Sequence, residues 1–193
     1  MFARNLRSSL IEAEAEYKAY TTLFPTSSDL DYVQKQIAFS FFKRKRDYKN
    51  DQTETKKAIE EFELFFRKFP KSKYTDEARK KYNEAKEHLA KHDEYIGDFY
   101  LQVDKPFAAE RRYKKALKIS VDHEARFSYY YKLLKTLIEQ NKDKEISETV
   151  LKIEEENTKY GKRSAEYSMI KELLKNYKPG KQKPEEEKKT KKE

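Results

Sequence analysis

A small residue followed by large ones four and seven positions on, with a proline five further, constrains this chain more than any other feature. Ala13, Tyr17, Tyr20 and Pro25 set the pattern, and Ala58, Phe62, Phe65 and Pro70 repeat it. Ala109, Tyr113, Ala116 and Val121 repeat the spacing again, with alanine in the place of the second large residue and valine in the place of proline. Offsets of three and four put such side chains on one helical face, and the proline stops the helix and turns the chain. Only 3 Gly and 5 Pro occur in 193 residues, too few for the many tight turns of a sandwich or barrel. The expectation is an all-α chain of long helices joined by short corners.

These spacings resemble the second helix of a tetratricopeptide repeat. In the third unit the first helix fits as well, with Gly97 and Tyr100 standing twelve and nine residues before Ala109. The fold expected is therefore a tetratricopeptide-like helical-repeat solenoid of about eight helices, with Ala13, Ala58 and Ala109 at close helix contacts. Pro25 and Pro70 are 45 residues apart, more than the repeat's usual period of about 34. A long loop over 43–55 (KRKRDYKNDQTET), which has no apolar face, accounts for the excess. The proline-free run 72–103 predicts one long helix, and Pro106 opens the next. Apolar stripes predict further helices over 125–138, around Ile146, Val150 and Ile153, and over 164–177. Residues 1–177 form the expected repeat domain. From Lys178 onward seven Lys and four Glu stand among no apolar residue, so 178–193 is expected to be a disordered tail.

Composition narrows function by exclusion. Without cysteine there is no disulfide, thiol nucleophile or thiolate metal site. No glycine-rich phosphate loop, no nucleophile elbow and no nucleophile beside an evident base is present, so neither enzyme activity nor a cofactor is expected. His88 and His92, four apart with Glu84 a turn earlier, could share a metal on one helical face, but two solvent-facing histidines on a charged helix is the plainer reading. The net charge is +9. Although Lys43, Arg44, Lys45 and Arg46 form a basic run, the excess is spread over an elongated body, which argues against nucleic acid as the partner.

Three longer words carry a more specific resemblance: FPTSSDLDYV at 24–33, RDYKNDQTETKKAIEEFELFFRKFPKSKYTDEA at 46–78, and HLAKHDEYIGDFYLQVDKPFAAERRYKKAL at 88–117. Together they resemble the BamD family of tetratricopeptide lipoproteins. The matching features are Asp51-Gln52-Thr53 in the loop, the corner from Phe69-Pro70 to Ala78, Leu89-Ala90 with Tyr100, and Ala108-Ala109 with Arg112. The resemblance implies a non-enzymatic scaffold at the periplasmic face of the outer membrane, which binds a BamA-like periplasmic domain and unfolded barrel substrates. It suggests Arg112, with Arg111, Asp51 and Gln52, for partner binding, and Tyr32, Gln36 and Phe39 for substrate. It also implies an N-terminal lipidated cysteine, so membrane association is expected only through an anchor missing from this chain. The region after Leu117 departs from the pattern. Two other readings share the helical architecture: a general tetratricopeptide adaptor of the cell envelope and a basic RNA-binding helical protein.

Overall fold

The computed structural model describes residues 2–160 and 165–180, which form eight helices and no strand. In chain order these are α1 (Phe2–Leu23), α2 (Leu30–Arg44), α3 (Thr53–Lys68), α4 (Thr75–Gln102), α5 (Pro106–Ile119), α6 (His123–Glu139), α7 (Asp143–Tyr160) and α8 (Ala165–Asn176). Each helix from α1 to α6 packs on its successor, and α8 returns onto α6. The all-α repeat architecture read from the spacings is the architecture found. The long connection is shorter than 43–55, because Lys43 and Arg44 extend α2 and Thr53 already begins α3.

Pairs α2–α3, α4–α5 and α6–α7 repeat one arrangement of a first helix followed by a second, with the small residue on α3 and α5 and Ile146 in its place on α7. Ala58 on α3 and Ala109 on α5 are completely buried. Gly97 on α4 lets the Tyr113 ring of α5 approach its backbone. Ala13 is a correction to the expectation, being only half-buried. Its helix packs chiefly against α2 and meets α3 near its own start, where Arg7 pairs with Glu54, so Ala13 is left partly open.

Two kinds of corner turn the chain. Pro25 and Pro70 follow the ends of α1 and α3, as helix stops should. The α4–α5 and α6–α7 corners use residues in the left-handed region instead, Asp104 at φ 53° and Asn141 at φ 55°. In each, two N–H groups reach back to helix carbonyls: Lys105 to Tyr100 at 2.8 Å and Asp104 to Leu101, Lys142 to Leu137 and Asn141 to Ile138, all three at 3.1 Å. This is the Schellman closure, normally made with glycine; Asp and Asn tolerate it best among other residues. Asp122 accepts from the N–H groups of Glu124 and Ala125 to cap α6.

The core divides in two. Val33, Ile37, Phe41, Ala58, Phe62, Phe65, Ala78 and Ala85 belong to one cluster, and Ala90, Ala109, Tyr113, Phe127, Leu134, Ile146 and Ile170 to the other. Helix α4 contributes to both. The buried rings Phe62, Phe65 and Tyr113 are each worth about 1.5–3 kcal/mol of burial, which is how a chain this highly charged still holds together. First helices lie side by side and are tied by ions: Lys35 of α2 to Glu77 of α4 at 2.8 Å, and Lys132 of α6 to both Glu94 and Asp98 of α4 at 2.7 Å. At the C-terminal end, Tyr177 donates its hydroxyl to Asp143 and Gly180 N–H donates to the same carboxylate at 3.1 Å. The remainder of the expected tail, 181–193, lies outside the described residues.

Candidate partner interface

Arg112 and Lys115 are three apart on α5 and therefore share a face, which looks onto α4. Arg112 Nη1 donates to Asp93 Oδ1 at 2.8 Å, and the Asp93 side chain is completely buried. Lys115 Nζ stands 3.3 Å from the other oxygen, Oδ2, near enough to pair in charge but not aligned to donate. A buried carboxylate persists only when it is compensated, so Arg112 fastens α5 to α4. About a third of its side chain stays exposed, and a guanidinium has further donors to offer a partner carboxylate. Arg111 beside it is exposed.

The α2–α3 loop is built from its own side chains. Gln52 is buried; its amide donates to the carbonyls of Asp47 and Asn50, both at 2.9 Å, and its carbonyl accepts from the Thr55 hydroxyl at 2.8 Å. Asp51 is exposed and accepts from Thr53 N–H at 3.0 Å and Thr53 hydroxyl at 3.1 Å. Those two bonds, with Arg46 and Lys56 nearby, hold its carboxyl below the usual range. The histidines correct the sequence reading. They do not face solvent: both are half-buried, His88 Nε2–H donates to the carbonyl of Arg46 at 2.7 Å, and His92 Nδ1–H donates to that of Tyr48 at 2.6 Å. Burial pushes the His88 pKa down. Their spacing of four, which raised the thought of a metal, instead matches two carbonyls of a loop laid along α4. Among the described residues no group of three or more acidic, histidine or cysteine side chains is placed to hold a metal.

Tyr32, Gln36 and Phe39 lie along α2, and the residue the sequence reading passed over, Lys35, sits among them. Its ammonium stands 4.2 Å from the ring centre of Tyr74, 5.1 Å from that of Tyr32 and 5.4 Å from that of Phe39. Phe39 is half-buried and meets Phe62 edge-on at 5.7 Å. Tyr32 remains partly exposed against Tyr74 at 5.6 Å, and half-buried Gln36 accepts from the Ser40 hydroxyl through its main-chain carbonyl. The cluster is a box of aromatic faces filled by the protein's own cation, with Glu77 as counter-ion. The 32–35–39 spacing on one helix announces half of it; Tyr74 comes from a distant corner.

Fold and surfaces together define a tetratricopeptide-like helical-repeat protein whose buried polar groups fasten helices and one loop in place. None of its helices, among the described residues, is long and apolar enough to cross a membrane. The chain belongs to the YfiO family of outer membrane lipoproteins, whose family model matches residues 2–156. It is 31% identical over 98 residues to the outer membrane protein assembly factor BamD of Rickettsia prowazekii, a match covering 51% of this chain and 39% of that protein. It is 24% identical over 117 residues to the BamD of Caulobacter vibrioides, covering 61% of this chain and 38% of the relative. The chain thus spans about two fifths of the length of the curated relatives it matches.

Proposed function

We propose that this chain is a non-enzymatic scaffold in outer-membrane β-barrel assembly, working at the periplasmic face and docking both a BamA-like periplasmic domain and unfolded barrel substrates. The observation that carries the reading is the family match across residues 2–156, reinforced by relatives named as assembly factors. The exposed part of Arg112, with Arg111, is the proposed partner contact. Asp51 and Gln52 serve it indirectly, by shaping the loop. Tyr32, Gln36 and Phe39 are the proposed substrate contacts, through the exposed part of Tyr32 first, since aromatic surface held in place by the buried Lys35 suits extended apolar peptide.

The test is calorimetric titration with the periplasmic domains of the cognate barrel protein. Parent protein is expected to bind at micromolar concentration or tighter, and no heat at high micromolar concentration sinks the assignment. Because Arg112 also compensates Asp93, a charge reversal there would confuse binding with folding. Arg111→Glu leaves that pair intact, and the double replacement Arg112→Gln with Asp93→Asn removes both charges together. Each is expected to melt cooperatively and to bind about tenfold more weakly, the usual worth of one interfacial charge-assisted bond; unchanged binding in both removes the arginine claim alone.

A further inference from the structure

The α2–α3 loop holds a concentration of charge that the scaffold reading leaves unused. Lys43, Arg46, Lys49 and Lys91 are exposed. Half-buried Lys45 rests its ammonium over the Phe42 ring at 4.2 Å from the centre. Among the described residues none of these five cations is in an ion pair, whereas their neighbour Arg44 is fully engaged inside, on Glu14, Glu54 at 3.0 Å and the Leu10 carbonyl at 3.1 Å. The two acids of the loop point back to its own donors: Asp47 accepts from Lys49 N–H at 2.9 Å, and Asp51 is held by Thr53. Two tyrosines stand within the patch. Tyr48 of the loop meets Tyr95 of α4 edge-on at 6.0 Å, with the Lys49 ammonium 5.8 Å from each ring centre. His88 and His92 fasten the loop along α4 through the main-chain carbonyls at 46 and 48, which fixes where its cations stand.

We infer that this loop is a peripheral membrane contact, a cationic surface that rests on the phosphate-bearing headgroups of an anionic lipid leaflet. Charge complementarity requires an anionic occupant, and the pairing of lysines with half-exposed tyrosines is the mixture that settles at a headgroup boundary, the charges at the phosphates and the rings just beneath. Two further observations favour lipid over an acidic polypeptide. The chain belongs to a family of outer membrane lipoproteins, so a bilayer surface is the nearest extended anion. The first turns of α1 lie at the same end as the loop, Arg7 standing 3.2 Å from Glu54 at the start of α3, so the chain enters the fold beside the cations. The inference rests on that family membership and not on any barrel partner, so the binding tests above and the one below fail separately.

The experiment is co-sedimentation of the whole chain with vesicles of phosphatidylglycerol in phosphatidylcholine and with vesicles of phosphatidylcholine alone. Binding to the anionic vesicles only is expected, weakening steeply as salt rises from about 50 mM to a few hundred millimolar and the screening length shortens. A variant with Lys43, Lys45, Arg46 and Lys49 each changed to Gln should partition at least about a hundredfold less, at about fivefold for each cation lost. A control with Lys68, Lys71, Lys73 and Lys80 changed to Gln removes the same charge near the α3–α4 corner and should bind like the parent. Four outcomes overturn the inference: no binding to anionic vesicles, equal binding to neutral ones, an equal loss in the control, or tighter loop-dependent binding to a polyglutamate peptide than to the vesicles. The last would make the loop a protein contact.

Discussion

Replacing Gly97 by Ala pits helix propensity against packing, and the structure says which wins. In an exposed helix interior this change stabilises by about 1 kcal/mol. Here a Cβ on Gly97 would stand 2.6 Å from Cε1, 2.9 Å from Cζ and 3.0 Å from Cδ1 of Tyr113, well inside contact distance. The ring has nowhere to swing, since it is completely buried and its hydroxyl donates to Asp98 at 2.8 Å; burial and that bond raise the phenol pKa far above its ordinary value. Either α4 and α5 part or the ring leaves its rotamer. Overpacking of this kind costs about 1–3 kcal/mol, and weakening the Tyr113–Asp98 bond adds about 1 kcal/mol. With the propensity gain offset, the net loss is about 1–3 kcal/mol, or a fall in Tm of several degrees at about 2–4 °C for each kcal/mol. Urea denaturation of the parent, Gly97→Ala, Tyr113→Leu and the double variant measures it. The double variant should be more stable than the sum of the singles implies, by at least about 1 kcal/mol, because leucine vacates the space the new methyl needs. A Gly97→Ala protein more stable than the parent, or strict additivity in the cycle, would refute the reasoning.

The left-handed corners give a second expectation: Asn141→Ala should cost about 1 kcal/mol while Asn141→Gly should cost nothing, since only the first adds a Cβ that the φ of the corner opposes; chemical denaturation distinguishes them. Stability should also fall in acid. Burial by itself would raise the pKa of Glu156 and of Glu110, but hydrogen bonds from Arg126 to the first and from Lys114 and Lys142 to the second hold both below the ordinary 4.5. With the folded value beneath the unfolded one, their contribution is complete above 4.5 and is lost as pH falls through the lowered range. Urea midpoints followed from neutral to acidic pH should show this, and Glu156→Gln should flatten the slope.

Helices and their buried stripes were legible because period and punctuation are local. Ala58, Phe62 and Phe65 announce their own face, and Gly97 announces a close approach. What escaped depends on partners far along the chain. Nothing in HLAKHDE says that both histidines meet carbonyls more than forty residues away, or that Asp93, in a run full of charge, is the residue that goes inside. In KRKR the second residue is drawn into the core by Glu14 and Glu54 while its neighbours stay out, a sorting that only the placement of α1 and α3 decides. The α4–α5 and α6–α7 corners were hidden for a different reason, as the residues that make them are Asp104 and Asn141 and not glycine.

Because α4 supplies Ala78 and Ala85 to one core and Ala90 to the other, the boundary between the halves falls in the middle of a helix and not in a connection. A stacked array in which each unit meets its neighbour at a separable seam can fray one unit at a time. Here separation would mean melting a 28-residue rod about 42 Å long at its midpoint. The rod therefore acts as a lever without a joint: a load applied at the Pro70 corner is delivered, undamped, to the Asp104 corner. Occupants gripping the two halves pull on the same rigid member.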